Sequence, residues 1–488
     1  MPQPANLIIF LTDNHAHDIM GAAGHPMVRT PNLDALAAAG VRFDNAYCVS
    51  PLCCPSRAAL ATGRYPHQTK CWDNALVYDG KVPSWHHRVR EQGHVATAIG
   101  KLHFRSSDDD NGFTDEIDVM HIYEEKGAVL TSLRATEDGV PNRQSHRKLY
   151  EDSGPGEADY QIYDRRITQQ AIEWLEENGR ADGKPWVLLV SYPSPHPPFR
   201  VADRFWDMYP VDQVPLPVQW RLGERPTHPA VEYLAWMNSF EGDLDEDFVR
   251  RAVAGYYALI THTDEQIGLV VEAMQNLDLN DNTRIMYTSD HGEAAGHHGI
   301  YGKANHYEHS IGVPLLISGP GIPKGAVAHQ VASHIDLFPT IVEALGAGLA
   351  QVDEDLPGIS LWPAIQGREE HRAAFTEFHA LGSRNGSFAL RDGKYKFIYH
   401  VGMPNQLFDV EEDPADECDL LLAAPDHPMA ATLEAKLRAI VDPEEADAQA
   451  KADQLANADN FGGLEGVRKA GVFAASPIPG KAVEHEMV

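Results

Sequence analysis

Short, continuous apolar runs punctuate this chain. Leu7-Ile8-Ile9-Phe10-Leu11, Val95-Ala96-Thr97-Ala98-Ile99, Trp186-Val187-Leu188-Leu189-Val190-Ser191 and Arg284-Ile285-Met286-Tyr287-Thr288-Ser289 do not alternate with polar residues. Strands buried on both faces of a parallel sheet read this way. Helical periods lie between them. Thr30-Pro31-Asn32-Leu33-Asp34-Ala35-Leu36-Ala37-Ala38-Ala39-Gly40 has a cap, a proline at the first position and a glycine stop. Gln161 to Asn178 carries Ile167, Ala171, Ile172, Trp174 and Leu175 toward one side, and Phe248 to Asn276 is a longer helical pattern. Late in the chain, Ser387-Phe388-Ala389-Leu390-Arg391 and Lys394-Tyr395-Lys396-Phe397-Ile398-Tyr399 flank Asp392-Gly393, a hairpin signal. Strands alternating with helices, then a hairpin, predict an α/β chain with a smaller terminal subdomain.

Composition narrows the partners. The 488 residues carry 40 basic and 71 acidic side chains, a net charge of −31. Such a chain should repel nucleic acid and anionic membranes, so an anionic substrate would need a locally positive pocket. No run is long enough to span a bilayer. The start, Met-Pro-Gln-Pro-Ala-Asn, lacks a basic signal-peptide region. The five cysteines, Cys48, Cys53, Cys54, Cys71 and Cys418, make no disulfide framework. The expected compartment is the cytoplasm.

The candidate chemistry sits where strands and helices begin or end. In Ser50-Pro51-Leu52-Cys53-Cys54-Pro55-Ser56-Arg57-Ala58-Ala59-Leu60-Ala61-Thr62-Gly63-Arg64, Pro55 suits a first helical turn and Gly63 a helix stop. Cys53 and Cys54 therefore fall beside a helix N-terminus, which favours anions, and Arg57 adds a bidentate cation. The same spacing also suits a buried structural cysteine pair. Asp13 and Asn14 follow the first strand, and Asp290 and His291 follow the strand ending at Ser289. Open α/β sheets place ligands at such strand ends, and these donors suit a hard divalent cation, although an Asp-Asn pair also makes turns. Lys101 and His103, two apart, would point the same way in extended chain as an anion clamp. His196 lies in Pro193-Ser194-Pro195-His196-Pro197-Pro198, where prolines stiffen the loop.

Taken together, these motifs resemble the type I sulfatases of the alkaline phosphatase superfamily. Cys53, Pro55 and Arg57 match the family's Cys-x-Pro-x-Arg core, and Thr62-Gly63-Arg64 closes that signature. The Thr-Pro-Asn-Leu-Asp helix, Gly-Lys-x-His-Phe at 100–104 and Ser-Asp-His-Gly-Glu at 289–293 follow in the family's order. Tyr307 to Ser310 and Val313 to Ile317 continue the pattern as helix and strand, and residues 334–340 look like the helix closing the large domain. Asn14 in place of a second Asp is similar to the choline-sulfatase and phosphonate-monoesterase branches.

The resemblance implies an alkaline-phosphatase-like fold, with a large, mostly parallel sheet flanked by helices. It places the catalytic domain at 1–372 and a small antiparallel-sheet subdomain at 373–442; residues 443–488, rich in Ala, Asp and Glu and then in Gly and Pro, resemble no domain, and their composition predicts an extended tail that could contact a second copy. It implies that Cys53 becomes formylglycine through a transiently bound formylglycine-generating enzyme. It gives the metal site Asp13, Asn14, Asp290, His291 and the modified Cys53, with calcium the first expectation and magnesium or manganese the alternatives. Arg57, Lys101 and Lys303 would stabilise charge, His196 or His103 would protonate the departing alcohol, and Asn74 would contact the oxyanion. The implied activity is hydrolysis of a small-molecule sulfate ester. The alternatives are a phosphonate monoester or phosphodiester hydrolase, against which Lys101 argues, and a non-catalytic anion-binding protein. Residues 106–159 read as an irregular insertion, with Trp85 and Tyr123 as candidates for recognising the alcohol.

Overall fold

A computed structural model describes residues 2–134, 142–181, 183–380, 382–473 and 475–482. Its centre is an eight-stranded sheet. From one edge to the other run Ala326–Ala328, Gly40–Phe43, Leu315–Ser318, Thr283–Ser289, Asn6–Thr12, Val187–Ser191, Ala96–Lys101 and Asp115–Met120. Every neighbouring pair is parallel except those made by Leu315–Ser318, which opposes both its neighbours.

The central strand explains the unbroken apolar runs. Leu7, Ile9 and Leu11 face a cluster containing Ala58, Leu60, Trp85, Phe338 and Ile341. Ile8 and Phe10, one position out of step, face Leu33, Tyr163, Ile167, Ala171, Ile267 and Val270. Both faces are therefore dry, and period-two alternation has no polar partner to show. Helices Cys53–Thr62, Trp85–Glu91 and Leu337–Ala344 cover the first face. Helices Pro31–Ala39, Asp159–Asn178 and Glu246–Asn276 cover the second.

A second sheet orders Ala373–Phe378, Ser387–Asp392, Tyr395–His400 and Gln406–Asp409 as an antiparallel meander, its tight turn allowed by Gly393 at φ +61°. Leu433 and Leu437 of helix Pro428–Arg438 pack on it. Lys396 anchors this sheet to the rest, with its ammonium 2.8 Å from Glu308 and 2.6 Å from Asp416, all buried. Among the described residues, no helix is long and apolar enough to cross a membrane.

Two expectations change here. Residues 106–159 are not wholly irregular, because Asp115–Met120 adds an edge strand and Gln144–Glu151 a helix; residues 135–141 of that stretch lie outside the described residues. Residues 443–470 are not extended, while residues 474 and 483–488 of the expected tail lie outside the described residues. Pro443–Asp459 is a helix whose N-terminus is capped by Asp442 and carries Glu444 and Glu445 in its first turn. Ala446, Ala450, Gln454 and Ala458 recur every four residues and are buried. Alanine is the strongest helix former, so a composition that looks too polar to fold becomes ordered once one small-residue face finds a wall.

Candidate active site

Helix Cys53–Thr62 delivers the central thiol. Pro55 lies in its first turn, Gly63 closes it at φ +66°, and all ten of its residues are buried. Cys53 is the first helical residue, inside the helix and not just before it as the sequence pattern suggests. The N–H of Cys54 donates to Asn74 Oδ1 at 3.2 Å, so Asn74 satisfies one of the helix's unpaired donors.

Two adjacent strand ends then converge on the thiol. Thr12 pairs in register with Ser289, so Asp13 and Asp290 leave the sheet side by side. Asp13, Cys53, Asp290 and His291 each offer a ligand atom, all within 4.8 Å of one another. His291 Nε2 lies 3.2 Å from Cys53 Sγ, and Asp13 Oδ1 lies 3.6 Å from it. His291 Nδ1 donates to the Gly292 carbonyl at 3.0 Å, an assignment made from that bond, which leaves the Nε2 lone pair for the centre. Burial lowers the His291 pKa and favours this neutral form.

Charge is concentrated here. Arg57 bridges both carboxylates, with Nε 2.8 Å from Asp290 and a terminal nitrogen 3.3 Å from Asp13. Lys101 Nζ is 2.5 Å from Asp13 Oδ2, and Lys303 Nζ is 2.9 Å from Asn14 Oδ1. Burial raises the Asp13 pKa, but Lys101, His196, Lys303 and Arg57 outweigh it and hold the carboxyl well below its usual range. Asp290 goes the other way, pushed up to about 7 by burial and by the neighbouring Asp13 charge. Two buried carboxylates that resist ionising together are what a cation between them would relieve.

Lys101, His103, Asn74, His196 and Lys303 line one cavity above Cys53. The Lys101–His103 pair reaches it differently from the extended geometry expected. Gly100 at φ +96° shifts the register at the strand's end, and His103 is left-handed at φ +56°. His196 Nδ1 lies 2.7 Å from the Pro197 carbonyl. Burial and the two lysines depress the His196 pKa, and burial, Lys101 and Arg57 depress that of His103. All of the anticipated site residues thus come together. Trp85 does not join them; it is buried against His86 and Phe113 beneath the sheet. Tyr123 packs near Phe473 and stands outside the cavity above Cys53.

Glu293 was missed. It closes the Asp-His-Gly-Glu run, and its Oε2 accepts the Asn14 amide at 2.6 Å while Oε1 accepts the N–H of Gly302 at 2.6 Å and of Ala295 at 3.0 Å. Because only the NH2 of Asn14 can donate to a carboxylate, Asn14 must turn its oxygen toward Lys303. An acidic residue one glycine past a candidate ligand pair was the signal available.

Comparisons with known proteins place the chain in a family. The sulfatase family model matches residues 5–347, and a model described as "N-sulphoglucosamine sulphohydrolase, C-terminal" matches 296–442. The chain belongs to the sulfatase family. It is similar to a choline-sulfatase of Rhizobium meliloti (strain 1021), 30% identical over 421 residues that cover 85% of this chain and 82% of that one. It is also similar to the arylsulfatase K of Mus musculus, 28% identical over 467 residues, 90% and 80% of the two chains. Among solved structures, a phosphonate monoester hydrolase of Agrobacterium radiobacter superposes with a TM-score of 0.71 at 25% identity, covering 89% of this chain and 95% of that one.

Proposed function

We propose that this protein hydrolyses sulfate esters to an alcohol and sulfate, with residue 53 acting as formylglycine beside one divalent cation. The observation that carries this reading is the thiol of Cys53 at the centre of a buried group of two carboxylates and an imidazole. The donor set fits a cation. Asp13, Asp290 and the Asn14 oxygen are hard ligands, His291 adds a nitrogen, and calcium suits them, with magnesium or manganese as alternatives. A soft thiol is out of place among these oxygens; the sulfur stands where a hydrated aldehyde would place a hydroxyl. Bound there, the cation would favour the ionised form of that hydroxyl, which is the nucleophile the chemistry needs.

The chain's own residues do the rest. Arg57 bridges and orients both carboxylates, and its charge favours their ionised forms against burial. Lys101 and Lys303 face the cavity with ammonium groups aimed at the sulfuryl oxygens, where charge is held in the transition state. His196 with Nδ1 bound to Pro197 presents Nε2 to the departing oxygen. Its depressed pKa favours the neutral form before substrate binds, and the negative charge of a bound ester offsets the lysines and favours the proton the alcohol requires. Asn74 borders the same space and steadies the helix end beneath the nucleophile.

Two measurements test this. The mass of the peptide containing residue 53 should be about 18 Da below that of the thiol form in protein made with the modifying enzyme. That preparation should cleave an aryl sulfate faster than a phenyl phosphonate monoester. The likeness to a phosphonate monoester hydrolase supplies the competing reading, and the reverse rate order would establish it.

A further inference from the structure

The cavity above Cys53 has about 70 Å³ of free volume, whereas sites for drug-sized ligands hold roughly 300–1,000 Å³. Part of the reason lies at the far end of the chain. Phe473, Ala475 and Ser476 line the cavity together with Leu52, Lys101 and Lys303. This late segment is tied down at several points. The Tyr160 hydroxyl donates to the Ser476 carbonyl at 2.7 Å, and Lys481 Nζ lies 2.5 Å from Asp159. Ile478 is buried in the core on one side of the sheet, and Val472 packs with Val129, Leu130 and Val467. Helix Pro443–Asp459, further upstream, is anchored too. Gln454 donates to Asp73 and to the His379 carbonyl, and Trp72 donates to Asp453.

Tyr160 stands at the junction. Its ring meets His196 edge-on at 5.7 Å between centroids, and Lys101 Nζ lies 5.9 Å from its centre. The residue that holds the strap is therefore in contact with the groups that face the ester.

Resting on the sulfatase reading, we infer that the chain's own C-terminal strap, Phe473 with Ala475–Ser476 held by Tyr160, is the wall that sets substrate size. The site takes sulfate esters of small alcohols, a short chain or a single ring. A sulfate on a sugar chain or a fused aromatic ring would have to displace the strap, losing the Tyr160–Ser476 hydrogen bond and the burial of Ile478. Tyr160 is a positioning residue here, because it acts through the strap and through His196.

The test compares kcat/KM for 4-nitrophenyl sulfate and for 4-methylumbelliferyl sulfate, whose leaving groups are similar in acidity but differ in size, in protein with residue 53 verified as the aldehyde. The unaltered protein should favour 4-nitrophenyl sulfate. Phe473→Ala should widen the space and shift the ratio at least tenfold toward the bulky ester, mainly through KM. Ala475→Leu should fill the space and raise KM for both. A chain ending at Gly471 should shift the ratio as Phe473→Ala does; should it fail to fold, the two point variants decide the matter. Tyr160→Phe should shift the ratio in the same direction and also move the pH profile of kcat, which a purely structural role would not do. Folded variants that keep the original ratio, or an unaltered protein that prefers the bulky ester, overturn the inference. Failure to cleave either ester overturns the sulfatase reading instead.

Discussion

Replacing Glu293 by glutamine tests how the two strand ends are joined. The carboxylate uses both oxygens, one for the Asn14 amide and one for the N–H groups of Ala295 and Gly302, and it is buried. Glutamine keeps the shape but offers one acceptor oxygen. If that oxygen stays with the backbone, its NH2 confronts the NH2 of Asn14, and Asn14 must flip, turning a donor toward Lys303. If it serves Asn14 instead, two backbone donors lose their partner. A hydrogen bond to a charged group contributes about 1.5–3 kcal/mol, and a buried unpaired donor costs about 1–3 kcal/mol. Glu293→Gln should therefore lower the unfolding free energy of metal-free protein by about 3 kcal/mol, read from denaturant midpoints. Calcium affinity by calorimetry should fall by roughly 10–100-fold, the usual effect of disturbing a ligand's support. Unchanged midpoint and unchanged calcium affinity together would refute the role assigned to Glu293.

Other outcomes follow from the same geometry. Cys53→Ser should abolish multiple turnovers on an aryl sulfate while leaving the fold intact by circular dichroism, because a serine hydroxyl that has taken up the sulfuryl group lacks the second hydroxyl through which a hydrated aldehyde would release sulfate. Lys101→Met should lower kcat by about 10²–10³, as loss of a preorganised charge-stabilising donor does, in steady-state kinetics on the same ester. Chelation should lower the melting temperature and calcium should restore it, with about 2.7 kcal/mol expected at a concentration 100 times Kd. Glu377, between His67 and His379, is buried, which raises its pKa, yet the two imidazoles hold it at about 2, below its ordinary 4.5. A depressed folded value means its contribution is present above pH 4.5 and lost as pH falls toward 2. Denaturant midpoints should show the unaltered protein losing about 3 kcal/mol more than Glu377→Gln across that window, and parallel curves would refute it.

The central sheet and the strand-end residues could be read from the chain because their physics is local. A dry parallel strand needs an unbroken apolar run, and ligands appear where that run stops, as at Thr12-Asp13 and Ser289-Asp290. Cys53 was legible through a proline and a glycine that bound its helix. What escaped depends on partners far apart in sequence. The role of Glu293 exists only because Asn14, 279 positions away, lies against it. Helix Pro443–Asp459 is weakly amphipathic, and its alanine face becomes apolar core only against a wall the sequence does not announce. Trp85 looked available as a recognition group because burial under the sheet leaves no mark on its neighbours. Lys101 and His103 line the same cavity despite a wrong geometric premise, since Gly100 and a left-handed His103 bring both side chains there.

The burial of every residue from Cys53 to Thr62 carries a consequence for biogenesis. On the proposed formylglycine reading, an oxidising catalyst that gripped Cys53, Pro55 and Arg57 as an extended peptide would have nothing to hold once the fold had closed over them. Maturation would have to precede folding, during or just after synthesis. Protein made in a host without that catalyst would then be a finished but inert product, beyond rescue unless it is first unfolded.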